Sequence, residues 1–261
     1  MAFYPDLYLQ FLFQQFKSRL EYRAGFIIVS IATMIQQGAM LLTIWAVMRQ
    51  IPALNGWPLP AVMLIYGLMS LSRSLNQMFT DSTWQLGGYI RRGGFDRFLI
   101  RPINPLFHLF ANQFNPDGVG NFLVGLMLVA AAGRSLGVFT SAYAVLYAVV
   151  AVVSGGVIFT AISLIAATSA FWLADATAVS AAVFENHRFA YFPLNIYPRG
   201  FIFALTWVIP YGFASFYPAA FLLGRDVGML AWLGPVVAIV LAVISYRVWL
   251  FGMRHYSGTG T

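Results

Sequence analysis

Long apolar runs separated by short polar knots make up this chain. Residues 3–23 alternate aromatic and polar groups: Phe3, Tyr4, Leu7, Tyr8, Phe11, Leu12 and Phe16 share one helical face, and Gln14, Gln15, Lys17, Arg19 and Arg23 take most of the rest. That pattern predicts an amphipathic helix lying in a membrane interface. Residues 26–48 hold no charge and predict a first span, on which Ser30, Thr33 and Gln37 recur at i, i+3 and i+7 and mark one face. A second span is predicted over 59–80. Its polar stripe of Ser70, Arg73, Ser74, Gln77 and Asp81 includes the only arginine that falls in mid-span. An arginine at the bilayer centre costs on the order of 3 kcal/mol or more, so Arg73 must face protein or water.

A third span is predicted over 109–132, its start loosened by Pro116 and Gly118. The run 142–172 is longer than about 30 Å of hydrocarbon requires at 1.5 Å per residue, so it must tilt, kink near Gly155-Gly156 or project. Ala151/Gly155 and Gly156/Thr160 place small residues four apart, suited to close helix packing. Residues 175–192 are less apolar and carry Glu185, His187 and Arg188. The apolar stretch 192–224 is interrupted by Pro193, Pro198, Pro210 and Pro218. So many breaks suggest a re-entrant hairpin, tolerated where protein or water satisfies the freed backbone. A last span over 229–251 precedes Arg254, His255 and a polar tail.

The densest charge lies between spans two and three, at 87–108 (GGYIRRGGFDRFLIRPINPLFH). Arg91, Arg92, Arg97 and Arg101 fall within eleven positions, offset by Asp96 alone. Glycine pairs precede the segment's centre, and Pro102 and Pro105 restrict the backbone after it. Phe95, Phe98 and Leu99 recur at helical spacing, which predicts a short amphipathic helix for a membrane surface or a partner's groove.

Composition agrees with a polytopic helical membrane protein: 60% of the 261 residues are hydrophobic and only 9% charged, against about a quarter in soluble chains. Seven Trp and 17% aromatics fit interfacial belts. The net charge of +7 sits beside apolar spans and not on one soluble face, which argues against a nucleic-acid partner. With no Cys, disulfides and thiolate metal sites are excluded. Asp6 and the lack of an early basic run argue against a cleaved signal peptide. Six spans with both termini inside put nine basic residues at the cytoplasmic face and five outside. Placing 175–200 on the cytoplasmic surface, with 201–223 as span five, changes this to eleven against three, so charge alone prefers the second version.

Motifs for chemistry are missing. The only lysine, Lys17, follows Phe-Gln-Gln-Phe and not a glycine-rich phosphate loop, and no HExxH, CxxC or GxSxG pattern occurs. The chain is therefore expected not to be an enzyme, and to hold no cofactor or metal of its own.

The run Gly94-Phe95-Asp96-Arg97-Phe98-Leu99-Ile100-Arg101-Pro102-Ile103-Asn104-Pro105-Leu106, with Gly93 before it, resembles the G-x-F-D-x-x-L-x-R-P-x-N-P-L signature of bacterial type 2 ATP-binding-cassette exporter permeases. The stretches Tyr191–Pro198, Val208-Ile209-Pro210 and Tyr217-Pro218-Ala219 are similar to that family's proline-rich segment. The resemblance implies an all-α, single permease domain: an interfacial helix (1–25), spans one and two (26–84), a cytoplasmic coupling loop (85–108), spans three to five (109–192), a re-entrant outer hairpin (193–226), then span six and a tail (227–261). It tips the proline-rich segment towards the outer side. It also implies a second permease chain, identical or homologous, on separate cytoplasmic P-loop ATPase subunits that bind ATP and Mg, within the lipids of a bacterial inner membrane.

On that reading the coupling residues are Arg91, Arg92, Gly94, Phe95, Asp96, Arg97, Leu99, Arg101, Pro102, Asn104 and Pro105. Phe95 and Leu99 would fill an apolar groove of the motor, and Asp96 would cap the turn or pair with Arg92. Gln37, Ser70, Arg73, Gln77, Asp81 and Glu185 are the candidates for a pathway lining, with Arg73 suited to an anionic head group or to pairing with Asp81 or Glu185. The interior suits a lipid-like or drug-like amphiphile. An ion-coupled secondary transporter, a membrane-embedded transferase and a non-transporting membrane anchor are the alternatives. The first needs inverted repeats and intramembrane acids, the second a catalytic cluster for which His108 is the faint candidate, and the third leaves the polar stripe unexplained.

Overall fold

The computed structural model describes residues 23–112, 115, 117–173 and 176–256, which are helical nearly throughout; among them no strand occurs beyond an isolated bridge between Leu54 and Trp57. The expected interfacial helix lies, but for its last residues, outside the described residues. α1 (Arg23–Met48) and α2 (Leu59–Thr80) are followed by three short helices, α3 (Leu86–Arg91), α4 (Asp96–Leu99) and α5 (Pro105–Ala111). The long α6 (Asp117–Leu136) and α7 (Ala142–Thr168) come next, then α8 (Thr177–Glu185), α9 (Arg199–Phe203), α10 (Phe216–Leu222) and the closing α11 (Leu233–Arg254). Four of these, α1, α6, α7 with its 3-10 extension to Phe171, and α11, have the length and hydropathy to cross a membrane.

α2 is the hub. It is 22 residues long, but its polar stripe makes it less apolar than the others, and it is buried on nearly every face between α6 and α7. Gly67 and Gly125 bring α2 and α6 almost to backbone contact, since a Cβ on Gly125 would stand 3.0 Å from the Gly67 carbonyl oxygen. Only glycine fits such an approach. Gly155 on α7 likewise faces Ser72 of α2 and Ala214, and α7 continues as helix through Gly155-Gly156.

Two expected elements differ. The third span begins at Asp117, not 109, because Asn115 accepts a hydrogen bond from the Asp117 amide (3.0 Å) and starts a new helix there; residues 105–111 form the separate α5. Residues 175–192 do not form one spanning helix. α8 has nine residues, about 14 Å at 1.5 Å each and half a bilayer, and continues as 3-10 turns over Asn186–Tyr191 and Leu194–Ile196.

This broken segment nevertheless covers the length of α2. It starts near Ala176, beside Gly87, and reaches Asn195, whose side chain donates to the Asn55 carbonyl (3.2 Å) while Asn55 donates to the Asn195 carbonyl (2.7 Å). α9 and a π-turn over Ala204–Val208 then lead back to mid-α2, where Ser72 donates to the Ala214 carbonyl (3.3 Å). α10 returns to Arg225, which lies 4.0 Å over the Trp57 ring and donates to the Gly56 carbonyl at 2.5 Å.

Candidate functional site

Two features stand out, one at the end of the bundle where α2 finishes and one inside it. At the end, residues 86–111 form three short helices whose apolar half is part of the protein's own interior. Leu86, Phe95, Phe98, Leu106 and Leu109 pack with Leu164 and Ala167 of α7 and Trp249 of α11 in a second core. The expected face of Phe95, Phe98 and Leu99 is split. Gly93, at φ 68°, and Gly94 precede the single turn of α4, and Pro102 follows it, so helical periodicity does not persist long enough to align the three. Phe95 is 0% exposed, against Trp249, Phe171 and Tyr256, whereas Leu99 is 46% and Ile100 82% exposed. The exposed apolar pair is thus Leu99-Ile100, with Arg91, Arg92, Arg97 and Arg101 also on the outside.

Several motif residues have a local task. Asn104 caps α5, accepting from the Leu106 and Phe107 amides (2.9 and 3.3 Å), with Pro105 at the first helical position where a missing amide costs nothing. Pro102 is exposed and Gly94 lies beside Tyr89. Arg97 stacks on Tyr89 and Phe98, 4.5 and 4.8 Å from their centroids. Asp96, expected to cap or pair with Arg92, accepts from the Tyr256 hydroxyl at 2.9 Å. Burial and this carboxylate push the Tyr256 phenol up to about 12, so it stays a donor. Arg101 Nη1 meets His108 Nε2 at 3.2 Å. A guanidinium can only donate, so this nitrogen accepts and the ring is neutral; burial, then Arg101 and Arg97, hold its pKa below the usual value.

Inside the bundle a cavity of about 500 Å³ opens between α1, α2, α6 and α8. Gln37, Arg73, Gln77 and Glu185, four of the six residues expected along a pathway, line it. The other two do not. Ser70 is fully buried behind the wall, 3.5 Å from both Gln37 Nε2 and the Asn121 carbonyl. Asp81 falls in a 3-10 turn after α2 has ended, and is held by Asn115 Nδ2 at 2.7 Å.

The wall is one polar ladder across three helices. Tyr66 donates to Gln37, Gln37 to Asn121 Oδ1 (2.5 Å), and Asn121 to Gln77 Oε1 (2.5 Å). Arg73 stands beside it, 3.5 Å from the Tyr191 hydroxyl and 5.2 Å from the Phe184 ring centroid, with Nε buried and lacking a hydrogen-bond partner. It pairs with neither expected acid: Asp81 is bound as described, and Glu185 bridges Arg188 at 2.5 Å. Sequence reasoning missed Asn121, Tyr66 and Tyr191. Asn121 carried a signal, as a lone amide within an apolar run, whereas tyrosines near an interface read as belt residues.

A family model described as ABC-2 family transporter protein matches residues 34–260. The chain belongs to this family. As an ABC-2 family member it is a multi-pass permease component of an ABC transporter, not itself the catalytic part, and such permeases usually work with an ATPase partner. The matched region spans the cationic turn and every residue lining the cavity but Thr33. No curated protein and no solved structure matches the chain.

Proposed function

We propose that the chain is the permease of an ATP-driven exporter that moves an amphiphilic, lipid-like or drug-like substrate out of the cell. The carrying observation is the two-sided build of the turn at 86–111: inner aromatics lock it to α7 and α11, while arginines with Leu99 and Ile100 face outwards. A push on such a turn moves two membrane helices at once. A separate P-loop ATPase, with ATP and Mg²⁺ bound on it, docks there from the cytoplasm of a bacterial inner membrane. Both termini lie inside, and 177–197 serves as a broken fifth span of six. The proline-rich segment after it forms a re-entrant outer hairpin. A second permease chain covers the open side of the polar cavity, because exposed Glu185, Arg188 and Gln36 cannot face lipid, and rocking of the two chains gives alternating access.

The test is the complex reconstituted with its ATPase in lipid vesicles. Leu99→Ser with Ile100→Ser is expected to lower permease-stimulated ATP hydrolysis and transport about tenfold while the permease keeps its thermal midpoint. Phe95→Ala, in contrast, should reduce the yield of folded permease, as large-to-small core changes do. Full coupling in the double variant would refute the docking reading.

A further inference from the structure

The polar cavity does not end at its polar wall. It shares Met40 and Thr43 with a second cavity of about 260 Å³, bordered by Ile44, Val47, Met48, Leu54, Phe192 and Ile196. Along α1, Gln37 thus belongs to the polar chamber, Met40 to both, and Ile44 and Met48 to the apolar one, at the three- and four-residue spacing that stacks side chains on one face. The two cavities adjoin at Met40 and Thr43, the first lined mainly by polar groups and the second mainly by apolar ones.

The charges at its polar end are unequal in their commitments. Glu185 and Arg188 neutralise each other. Asp117 sits in the first turn of α6, where the helix amides favour a carboxylate. Arg73 alone combines a place on the chamber wall, a buried Nε without a hydrogen-bond partner and only weak neutral contacts, 3.5 Å to the Tyr191 hydroxyl and 5.2 Å to the Phe184 ring centroid. Its planar fork matches carboxylate or phosphate oxygens, and Tyr66, Tyr191 and Gln77 border the same space. A cationic head would meet this guanidinium on the chamber wall.

We propose that the joined cavities bind an amphiphile with an anionic head, a carboxylate or a phosphate. The head sits at Arg73 and the apolar chain lies along α1 towards Leu54 and Phe192. This rests on the permease reading and names the chemical class of its cargo.

Binding is measured on the full complex in nanodiscs of zwitterionic lipid, using the fatty acid, the alkyl phosphate and the alcohol of one chain length, each with the same fluorophore. At least one of the two anions is expected to bind about tenfold or more tightly than the alcohol, and the stronger of them identifies the head. Arg73→Gln should abolish that preference with alcohol binding unchanged, and Arg73→Lys should restore part of it. Ile44→Trp, which fills the apolar chamber, should weaken all three probes. Equal binding of anions and alcohol, or a preference that survives Arg73→Gln, overturns the assignment. ATP-driven transport without anion preference would leave the permease reading standing and sink this one. Anion preference in a protein that neither docks an ATPase nor transports would do the reverse.

Discussion

Asn121 shows how much one side chain carries in this bundle. It is 3% exposed, accepts from Gln37 and donates to Gln77, and so ties α1, α6 and α2 together through two short bonds. Replacing it with Leu leaves two amides without their partner. Each unsatisfied group costs about 1–3 kcal/mol in a water-soluble protein, and about 0.6 kcal/mol is the average inside membranes, where alternative partners are found. The expected loss for Asn121→Leu is therefore about 1–3 kcal/mol in total. Because Gln37→Leu removes the same bond from the other side, the double variant should fall short of the sum of the single losses by about 0.5 kcal/mol or more. Strict additivity in thermal or denaturant unfolding would mean that the ladder is not a connected unit. Gln37 and Gln77 were legible in the sequence as a stripe within apolar runs. Their junction was not, since one Asn at position 121 says nothing about which helices flank it.

At the scale of elements, the turn between α2 and α6 was legible in its ends and illegible in its facing. Glycine pairs, Pro102 and Asn104-Pro105 mark breaks and caps that depend only on local backbone chemistry, and the structure has a cap at Asn104. Which of Phe95, Phe98 and Leu99 turns inwards depends on Leu164 and Ala167 of α7 and Trp249 of α11, all more than fifty residues away in the chain, and α4 is too short for periodicity to decide it. The same dependence makes the turn sensitive to acid. His108 must be neutral to accept from Arg101, and its folded pKa is depressed while the unfolded chain protonates near the usual 6.5. Below that value the unfolded state binds more protons, so the contribution is fully present above about pH 6.5 and is lost as pH falls below it. The unfolding midpoint of the wild type should drop more steeply from pH 7 to pH 5 than that of His108→Gln. Parallel profiles would show that this histidine does not titrate on unfolding.

For the whole molecule, the decisive contact is the tie between the α1–α2 connection and the broken segment. Asn55 and Asn195 exchange side-chain-to-backbone bonds, and Arg225 stacks on Trp57 beside them, so both ends of the proline-rich stretch are fastened to one short loop. Charge counting pulled residues 175–200 towards the cytoplasm, whereas these contacts put Asn195 at the end of the bundle opposite Gly87 and the cationic turn. A charge tally is blind to this, because Arg188 has Glu185 as its counter-ion and anchors nothing by itself. If cargo leaves past the hairpin, this tie must open in each cycle. The chain has no cysteine of its own, so Asn55→Cys with Asn195→Cys introduces an isolated pair, at positions already tied to each other by reciprocal side-chain-to-backbone bonds. Oxidation is expected to cross-link the pair and to cut ATP-driven transport at least fivefold, with recovery on reduction. Each single variant should transport normally and react in intact cells with a membrane-impermeant maleimide. Undiminished transport in a fully cross-linked protein would place the exit elsewhere, and labelling only after the inner face is exposed would invert the molecule in its membrane.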